Sequence, residues 1–505
     1  MMFTNALISV SDKTGLVDFL RPIENLRILS TGGTSKYLRE NGFIVIDVSE
    51  QTGFPEVMDG RVKTLHPNIH MGLLARSWVK EDAEILQSFK VQPFDLMICN
   101  LYPFEQSYHA GYKGQELIEK IDIGGPSMLR SAAKSFERIA VLCDPADYKW
   151  IAEKNYALTA DDRKLLAAKV FSHTATYDQL ISCALRPEGH QFEKEAVAYA
   201  NVQGLRYGEN PQQKAQWVKS LSSKTGWHQS EVLQGKPLSY NNLLDLEAAA
   251  NLVRQFSQPA CVAVKHNNPC GVAIDTDADL AVLKSLKADP ISVFGGIVAI
   301  NRRVTGKMAQ DLVAIFLECI VAPEFSSEAL EVFQKKKNLR LLRWKDMLEQ
   351  VPAQDLRSIA GGYLIQQADT QFPAVGQWQI HGEKPNAEIE TDLLFAEKVC
   401  ASLKSNSIAI VEKGMTLGLG MGQVNRVEAV EHAIHRMQQH ASGRTVPILA
   451  SDAFFPFPDS IERIAKAGIR WVIQPGGSVK DNEVLAAAKE LKVNLILTGV
   501  RHFRH

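Results

Sequence analysis

The chain contains no Cys-x-x-Cys pair, no surplus of basic residues, no low-complexity tract and no apolar run of bilayer length. Each absence removes a class of protein. Lys and Arg number 56 against 57 Asp and Glu, a formal net charge of -1; a general nucleic-acid binder carries a basic excess. The seven cysteines (Cys99, Cys143, Cys183, Cys261, Cys270, Cys319 and Cys400) are odd in number and dispersed. That pattern reads as reduced thiols in a cytoplasmic protein rather than a disulfide framework. The opening, MMFTNALISVSDKTG, lacks the basic start and long apolar stretch that export requires. The longest apolar runs, such as residues 291–300, fall far below the roughly 20 residues of a membrane span. No short period repeats, which argues against a solenoid. The expectation is a soluble, cytoplasmic protein with no nucleic-acid or membrane partner.

What is present is an ordinary globular balance, 45% hydrophobic and 22% charged. A chain of 505 residues exceeds one core, since domains run to about 100–200 residues. Short apolar runs at residues 6–10, 26–30, 43–48, 96–99 and 139–143 alternate with helical patterns at 15–20 and 35–40. This alternation predicts an α/β unit with a parallel sheet. A helical stretch at 160–185 closes it, and a boundary falls near residue 195, before the turn-rich Leu205-Arg206-Tyr207-Gly208-Glu209-Asn210-Pro211. Domains are thus expected at 1–195 and 196–505. In the second, residues 261–265, 291–300 (with a Gly-Gly break), 407–411 and 471–473 read as strands. Residues 340–385 read as a divergent linker between two subdomains.

Several motifs concentrate chemistry. Thr31-Gly32-Gly33-Thr34 lies between a strand and a helix, where free N–H groups suit phosphate; a simple tight turn is the alternative. Gly60-Arg61-Val62-Lys63-Thr64-Leu65-His66-Pro67 puts two cations before a proline, an anion clamp or a solvated loop. His66 and His70 have helical metal-pair spacing, but Pro67 and Asn68 make a helix poor there and no third ligand is evident, so no metal site is expected. Asp122-Ile123-Gly124-Gly125-Pro126 precedes a helical stretch with Arg130 and Lys134. A neighbouring cation favours a neutral lysine, useful as an acid or base; an ordinary charged surface is the alternative.

The sharpest feature is Val264-Lys265-His266-Asn267-Asn268-Pro269-Cys270-Gly271, where a buried-looking strand runs into adjacent Lys and His. Histidine suits proton transfer near neutral pH. An adjoining ammonium favours the neutral imidazole and can stabilise an oxyanion; a structurally satisfied strand-end histidine is the alternative. A zinc deaminase would need H-x-E and P-C-x-x-C, and Pro269-Cys270 continues as Gly271-Val272-Ala273. Ser451-Asp452-Ala453-Phe454-Phe455-Pro456-Phe457 could cover a planar ring or simply be core. Gln474-Pro475-Gly476-Gly477-Ser478 is a second glycine turn. Arg501-His502-Phe503-Arg504-His505 reads as a frayed tail or, exceptionally, an anion contact.

Taken in order, SVSDKTG, STGGTSKYL, GRVKTLHP, CNLYPF, IDIGGPSMLRSAAK, LRYGENP, VKHNNPCG, KSNSIAI, GQVNR, SDAFFPF, IQPGGS and RHFRH closely resemble the bifunctional purine-biosynthesis family. That family joins AICAR transformylase (phosphoribosylaminoimidazolecarboxamide formyltransferase) to IMP cyclohydrolase. The match runs from Ser9 to His505. It implies an N-terminal methylglyoxal-synthase-like, Rossmann-type domain, and a C-terminal transformylase of two cytidine-deaminase-like subdomains without zinc. It also implies a homodimer whose transformylase sites form between subunits.

For the first site the resemblance implies binding of IMP or its formylated precursor by Ser11, Asp12, Lys13, Thr31, Gly32, Gly33, Thr34, Arg61, Val62, Thr64, Cys99, Asn100, Ile123 and Gly124. Lys134 takes the acid/base role there, assisted by Lys63, Tyr102 and Asp122. In the second site it implies His266 as the proton acceptor and Lys265 as its partner. Arg206, Tyr207, Gly295, Glu318, Asn406, Arg426, Phe454 and Arg501 match nucleotide-binding positions. Val427, Asp459, Ser478 and Val479 match positions for the cosubstrate 10-formyltetrahydrofolate; no redox cofactor or metal is required. Two departures stand out: Gln212-Gln213 replaces a common His-Gln, and Glu318 replaces an Asp of some members. A zinc-free deaminase or lyase, and a non-catalytic nucleotide sensor, are the competing readings.

Overall fold

A computed structural model describes residues 3–187, 190, 196, 198–349, 354–440 and 446–505. The chain divides into two compact units, Met1–Ala200 with Ser220–Lys224, and Asn201–Lys219 with Thr225–His505. The boundary expected near residue 195 lies outside the described residues.

The first unit is built on five strands, β1 (Asn5–Val10), β2 (Arg27–Ser30), β3 (Val45–Asp47), β4 (Leu96–Asn100) and β5 (Ala140–Leu142). They pair in the order β3-β2-β1-β4-β5, every pairing parallel. A parallel sheet is covered on both faces, so its strands are apolar throughout rather than alternating. Leu7, Ile8, Leu29, Met97, Ile98 and Val141 are accordingly buried. The chain winds outward from β1 to β3, then returns to β4 on the other side. Loops leaving the carboxyl ends of β1 and β4 therefore diverge, and open α/β sheets bind ligands in that crevice. The closing helix spans Ala160–Leu185, as expected, and starts with a capping box between Thr159 and Asp162.

One local expectation shifts by three residues and another fails here. The turn at Thr31-Gly32-Gly33-Thr34 is already helical, because the helix Gly32–Glu40 begins one residue after its N-cap Thr31. Pro67 opens the helix Pro67–Leu74 instead of preventing it. Proline is tolerated at the first helical position, whose N–H has no helical partner. His66 caps that helix by accepting the Asn68 N–H, while His70 Nδ1 meets Ser131 Oγ at 3.0 Å. The two imidazoles serve different partners.

The second unit begins with a two-stranded sheet, β6 (Tyr199–Leu205) and β7 (Ala215–Ser220). A 12-stranded sheet then forms its body. One half contains β8 (Glu231–Gln234), β9 (Ala260–Lys265), β10 (Asn268–Ile274), β11 (Ile297–Ile300), β12 (Cys319–Ala322) and β13 (Arg340–Arg343). The hairpin β14 (Gln354–Ile359) and β15 (Gly362–Gln367) follows. The other half contains β16 (Gln379–His381), β17 (Ile408–Glu412), β18 (Met415–Gly420), β19 (Ile448–Ser451), β20 (Trp471–Gln474) and β21 (Asn494–Leu497).

The strand order across the sheet is β16-β21-β20-β19-β17-β18-β10-β9-β11-β12-β13-β8. Read outward from the β10–β18 junction, the halves have the same topology. Each has an antiparallel hairpin, then three parallel strands, then an antiparallel edge strand. The unit is an internal duplication that no short sequence period announces.

Period-2 alternation distributes the core. Val262, Val264, Ala409 and Val411 face one layer with the helices Tyr240–Val253 and Ala387–Ala401. Cys261 and Ala263 pack on the other face of the first half, and Ile408 and Ile410 on that of the second. The segment 340–385 is not all linker. Arg340–Arg343 is strand β13, with Leu341 and Leu342 buried, and Gln379–His381 is edge strand β16. Basic ends around a short apolar pair disguised β13. Within 291–300 a helix, Pro290–Val293, precedes the strand.

The C-terminal segment is docked rather than frayed. His502, 3% exposed, hydrogen-bonds Asp369 Oδ2 through Nδ1 at 2.8 Å, while Glu397 lies 3.8 Å from Nε2. Phe372 stacks on its ring at 4.8 Å. Burial alone would lower this imidazole's pKa; Asp369 and Glu397 outweigh it and raise the value to about 9. The folded state thus binds this proton more tightly than the unfolded chain, whose value is 6.5. The stabilisation is whole below about pH 6.5 and disappears as pH climbs through about 9. Calorimetry should show the melting temperature falling across that interval, and His502→Gln should remove at least half of the fall. An unchanged pH slope in the variant would contradict the assignment.

Candidate functional site

In the first unit Ser11, Asp12, Thr34 and Asn100, singled out from sequence, gather at the crevice between β1 and β4. Asn100 Oδ1 accepts the N–H groups of Ser11 at 2.7 Å and Asp12 at 2.8 Å, and its Nδ2 donates to the Asp12 carbonyl at 2.8 Å. Ser11 Oγ donates to the Leu101 carbonyl at 2.7 Å. The loop after β1 is thereby stitched to the end of β4. Thr34 Oγ1 is buried between the N–H and the carbonyl of Val10, at 3.0 and 2.9 Å, which ties in the helix after β2. Asp12 is held below the usual carboxylate range by hydrogen bonds from Thr14.

The loop at residues 61–64 enters this crevice through its lysine. A methyl group on Gly32, whose φ is +50°, would lie 3.1 Å from Lys63 Nζ. Glycine thus lets the ammonium approach the start of helix Gly32–Glu40. Lys63 is paired with Glu56 at 3.0 Å, and Arg61 with Glu119. Both cations of the expected clamp already hold carboxylates. Thr64 is buried against Gly124, where any β-carbon would collide with Oγ1. Asp122 accepts the Gly125 N–H at 2.8 Å and an N–H from Tyr102. Burial raises its pKa, as it does for the Cys99 thiol at the end of β4. Val62 is half-buried, while Lys13 and Ile123 are partly and largely exposed, and Gly33 has open space around it. Lys134 is exposed at the last position of helix Gly124–Lys134. The helical rise places its Cα about 15 Å from that of Gly124.

In the second unit one edge of the large sheet collects most of the remaining candidates. Lys265 ends β9, which runs antiparallel to β11, so it lies at the amino end of β11, with its ammonium near Gly295. Its ammonium donates to the Phe294 carbonyl at 2.7 Å. Glu318 precedes β12 on the same edge, bonded through its N–H to the Gly296 carbonyl and through Oε2 to Arg340 at 2.8 Å. Because β10 and β18 are antiparallel, this edge also carries the carboxyl ends of β18 to β21. There lie Arg426 and Val427, beginning helix Arg426–His440, and Phe454 after β19. Asp459 begins the helix Asp459–Lys466, Ser478 and Val479 follow β20, and Arg501 follows β21. Arg206 and Tyr207 stand apart in the loop after β6, the guanidinium 5.6 Å from the tyrosine ring centre. Gln213 braces that loop by accepting the Asn210 N–H at 2.8 Å, while Gln212 is exposed.

His266 and Asn267 form the two-residue turn of the β9–β10 hairpin, with φ of 54° and 62°. Such turns favour residues that tolerate left-handed backbone, a conformation costing an L-residue roughly 1–2 kcal/mol. Their N–H groups point to the Asp245 carboxylate, at 3.3 and 2.6 Å. Burial raises the Asp245 pKa, and these two hydrogen bonds oppose it. The turn overlooks a cavity of about 360 Å³ lined by Lys265, His266, Cys270, Asp289, His432 and Arg436, among others. Burial raises the Cys270 pKa to about 12, so its thiol is no nucleophile at neutral pH. Asp245, His432 and Arg436 escaped the sequence reading. The two partners of Asp245 are backbone groups, which no residue type betrays.

Beside this, Arg426 (7% exposed) is buried with Asp452 (1%) in an ion pair. It also donates to Ser451 Oγ at 2.8 Å and Asn406 Oδ1 at 2.6 Å. Phe455 is core, whereas Phe454 is half-buried and Phe457 half-exposed under the Lys480 ammonium at 4.9 Å. Among the described residues no cluster of three His, Cys, Asp or Glu could hold a metal, and no helix is long and apolar enough to cross a membrane.

These two arrangements define a class: an MGS-like domain, matched at residues 15–127, followed by a domain of the AICARFT/IMPCHase bienzyme type, matched at residues 132–436. The chain belongs to the AICARFT/IMPCHase bienzyme family. It is 45% identical over 508 residues to a bifunctional purine biosynthesis protein PurH of Aquifex aeolicus, covering 99% of this chain and 100% of that one. A PurH of Thermoanaerobacter sp. is 46% identical over 513 residues, and one of Bacillus cereus 46% over 514, each covering 100% of both chains. Among solved structures, one titled crystal structure of ForH is 34% identical, covering 35% of this chain and 95% of its own, with a TM-score of 0.30.

Replacing Arg426 by Met should leave Asp452 buried and unpaired, which costs about 3–5 kcal/mol. Urea unfolding should report that loss; a change under about 1 kcal/mol would mean that the pair contributes little, as exposed pairs do.

Proposed function

We propose that the chain carries two successive activities of purine biosynthesis. The second unit transfers the formyl group of 10-formyltetrahydrofolate to AICAR, and the first closes formyl-AICAR to IMP with loss of water. The observation that carries this is the shared edge of the large sheet. Lys265, His266, Gly295, Glu318, Arg426, Phe454, Asp459, Ser478 and Arg501 come from both halves of the duplication, and they border that one edge.

For formyl transfer, His266 accepts the proton as the AICAR 5-amino nitrogen attacks the formyl carbon. The bond to the folate nitrogen then breaks, and that nitrogen takes a proton. Lys265 assists charge movement at the folate side, its ammonium held beside Phe294 and Gly295. Asn406 and Arg426 belong to the nucleotide side, with Arg206, Tyr207 and Arg501. Val427, Asp459, Ser478 and Val479 belong to the folate side.

For ring closure, the carboxamide nitrogen attacks the formyl carbon and water leaves, so orientation and proton movement suffice. Lys134 is the acid/base group, with Lys63, Tyr102 and Asp122 assisting. The Gly32 N-terminus and the Lys63 ammonium favour an anionic ligand. Ser11, Asp12, Lys13, Asn100, Thr64 and Gly124 complete the crevice.

The active form is a homodimer with transformylase sites shared between subunits. An exposed apolar face on the β14–β15 hairpin supports this, since Leu356, Tyr363 and Ile365 project from one side of it. Seven free thiols fit a reducing, cytoplasmic setting.

Pure protein given AICAR and 10-formyltetrahydrofolate should yield tetrahydrofolate and IMP; no folate-dependent product would sink the proposal. His266→Ala should abolish formyl transfer while still cyclising supplied formyl-AICAR, and Lys134→Ala should do the converse. Loss of both activities in one folded variant would contradict separate sites.

A further inference from the structure

The duplication repeats a detail of the His266 site where no catalytic residue stands. In the second half, Lys413 and Gly414 form the two-residue turn between β17 and β18, with φ of 50° and 65°. Their N–H groups donate to the two oxygens of Asp392, at 2.6 and 2.7 Å. Asp392 lies 21 residues before Lys413, as Asp245 lies 21 before His266. Each aspartate is followed by a buried leucine, Leu246 and Leu393, on the helix preceding its hairpin. Both carboxyls are shifted up by burial.

A left-handed turn made of a glycine asks little of its surroundings. Lys413-Gly414 has one glycine; His266-Asn267 has none. The His266-Asn267 turn therefore depends more on whatever holds its backbone. In both halves that support is one carboxylate accepting two adjacent N–H groups. An asparagine in its place would turn an NH₂ toward one of those donors.

We propose that Asp245 is a positioning residue for formyl transfer: it fixes the left-handed backbone of His266 and Asn267, and so sets the direction in which the imidazole leaves the turn. It makes no contact with substrate in this role. Asp392 is the same brace on a turn without chemistry, and provides an internal control of equal local geometry. The proposal rests on His266 being the base.

The experiment measures steady-state formyl transfer by the full-length chain across pH, with AICAR and 10-formyltetrahydrofolate. Asp245→Asn should lower the pH-independent plateau of kcat by about 10²-fold, the scale of a small misplacement of a reacting group, with KM for AICAR within threefold of wild type. Asp392→Asn should lower the melting temperature by no more than Asp245→Asn does, since Gly414 takes its left-handed conformation freely, and should leave kcat within twofold. Measured in an Asn267→Gly background, where glycine takes the left-handed conformation freely, the Asp245→Asn loss should shrink to under fivefold. That background also serves if Asp245→Asn alone does not fold.

A plateau within twofold of wild type in Asp245→Asn overturns the proposal, as does an equal kcat loss in Asp392→Asn. An undiminished loss in the glycine background also overturns it, because Asp245 would then act other than through the turn. His266→Ala separates the two levels. If it retains formyl transfer, the assignment of the base is wrong; if it is inactive while Asp245→Asn is not, only the positioning role fails.

Discussion

The pairing of β10 with β18 is the constraint on which the second unit depends. It joins the halves antiparallel, with Ala273 opposite Met415. Thr416 Oγ1 accepts the Val272 N–H at 3.1 Å, and the Gly414 carbonyl accepts the Ile274 N–H at 2.8 Å. Had the halves met in parallel, equivalent ends would share an edge and the two sets of loops would repeat each other. Antiparallel joining puts the amino ends of one half beside the carboxyl ends of the other. Unlike loops then face one another, and a site with two different sides becomes possible from two copies of one design.

Glycines make the seam's surroundings tight. At Gly418 and Gly420 any β-carbon would collide with backbone of helix Arg426–His440. That helix therefore lies close against β18, and Arg426, at its start, is held near Asn406 and Asp452. Close packing in one layer thus fixes polar groups in the next.

Much of the first unit was legible because parallel strands are buried on both faces and appear as unbroken apolar runs. Residues 6–10 and 96–99 lie inside observed strands, and helix Ala160–Leu185 matches to the residue. The duplication showed in no sequence repeat; only the resemblance, which implies two like subdomains in the second unit, announced it. Topology is conserved between the halves by pattern, not by residue identity, and Asp245-Leu246 and Asp392-Leu393 are too short a match to stand out. Strand β13 hid between two arginines, and Pro67 looked like a helix breaker where it is a helix starter. The candidate residues came from ordered motifs; Asp245 did not, because its partners are backbone N–H groups.

Arg61 and Lys63 meet Glu119 and Glu56 before any anion arrives. The crevice is in that sense its own competitor. In the proposed role an incoming anion would exchange partners instead of filling an empty positive field, so its gain would be the difference between two ion pairs. A single diffuse charge, such as chloride, gains little from such an exchange. A ligand that presents several oxygens at fixed spacing can displace both carboxylates together, and the two freed glutamates return to water. In the role proposed for this crevice, selectivity for multiply charged, rigid anions would follow from the carboxylates as much as from the cations.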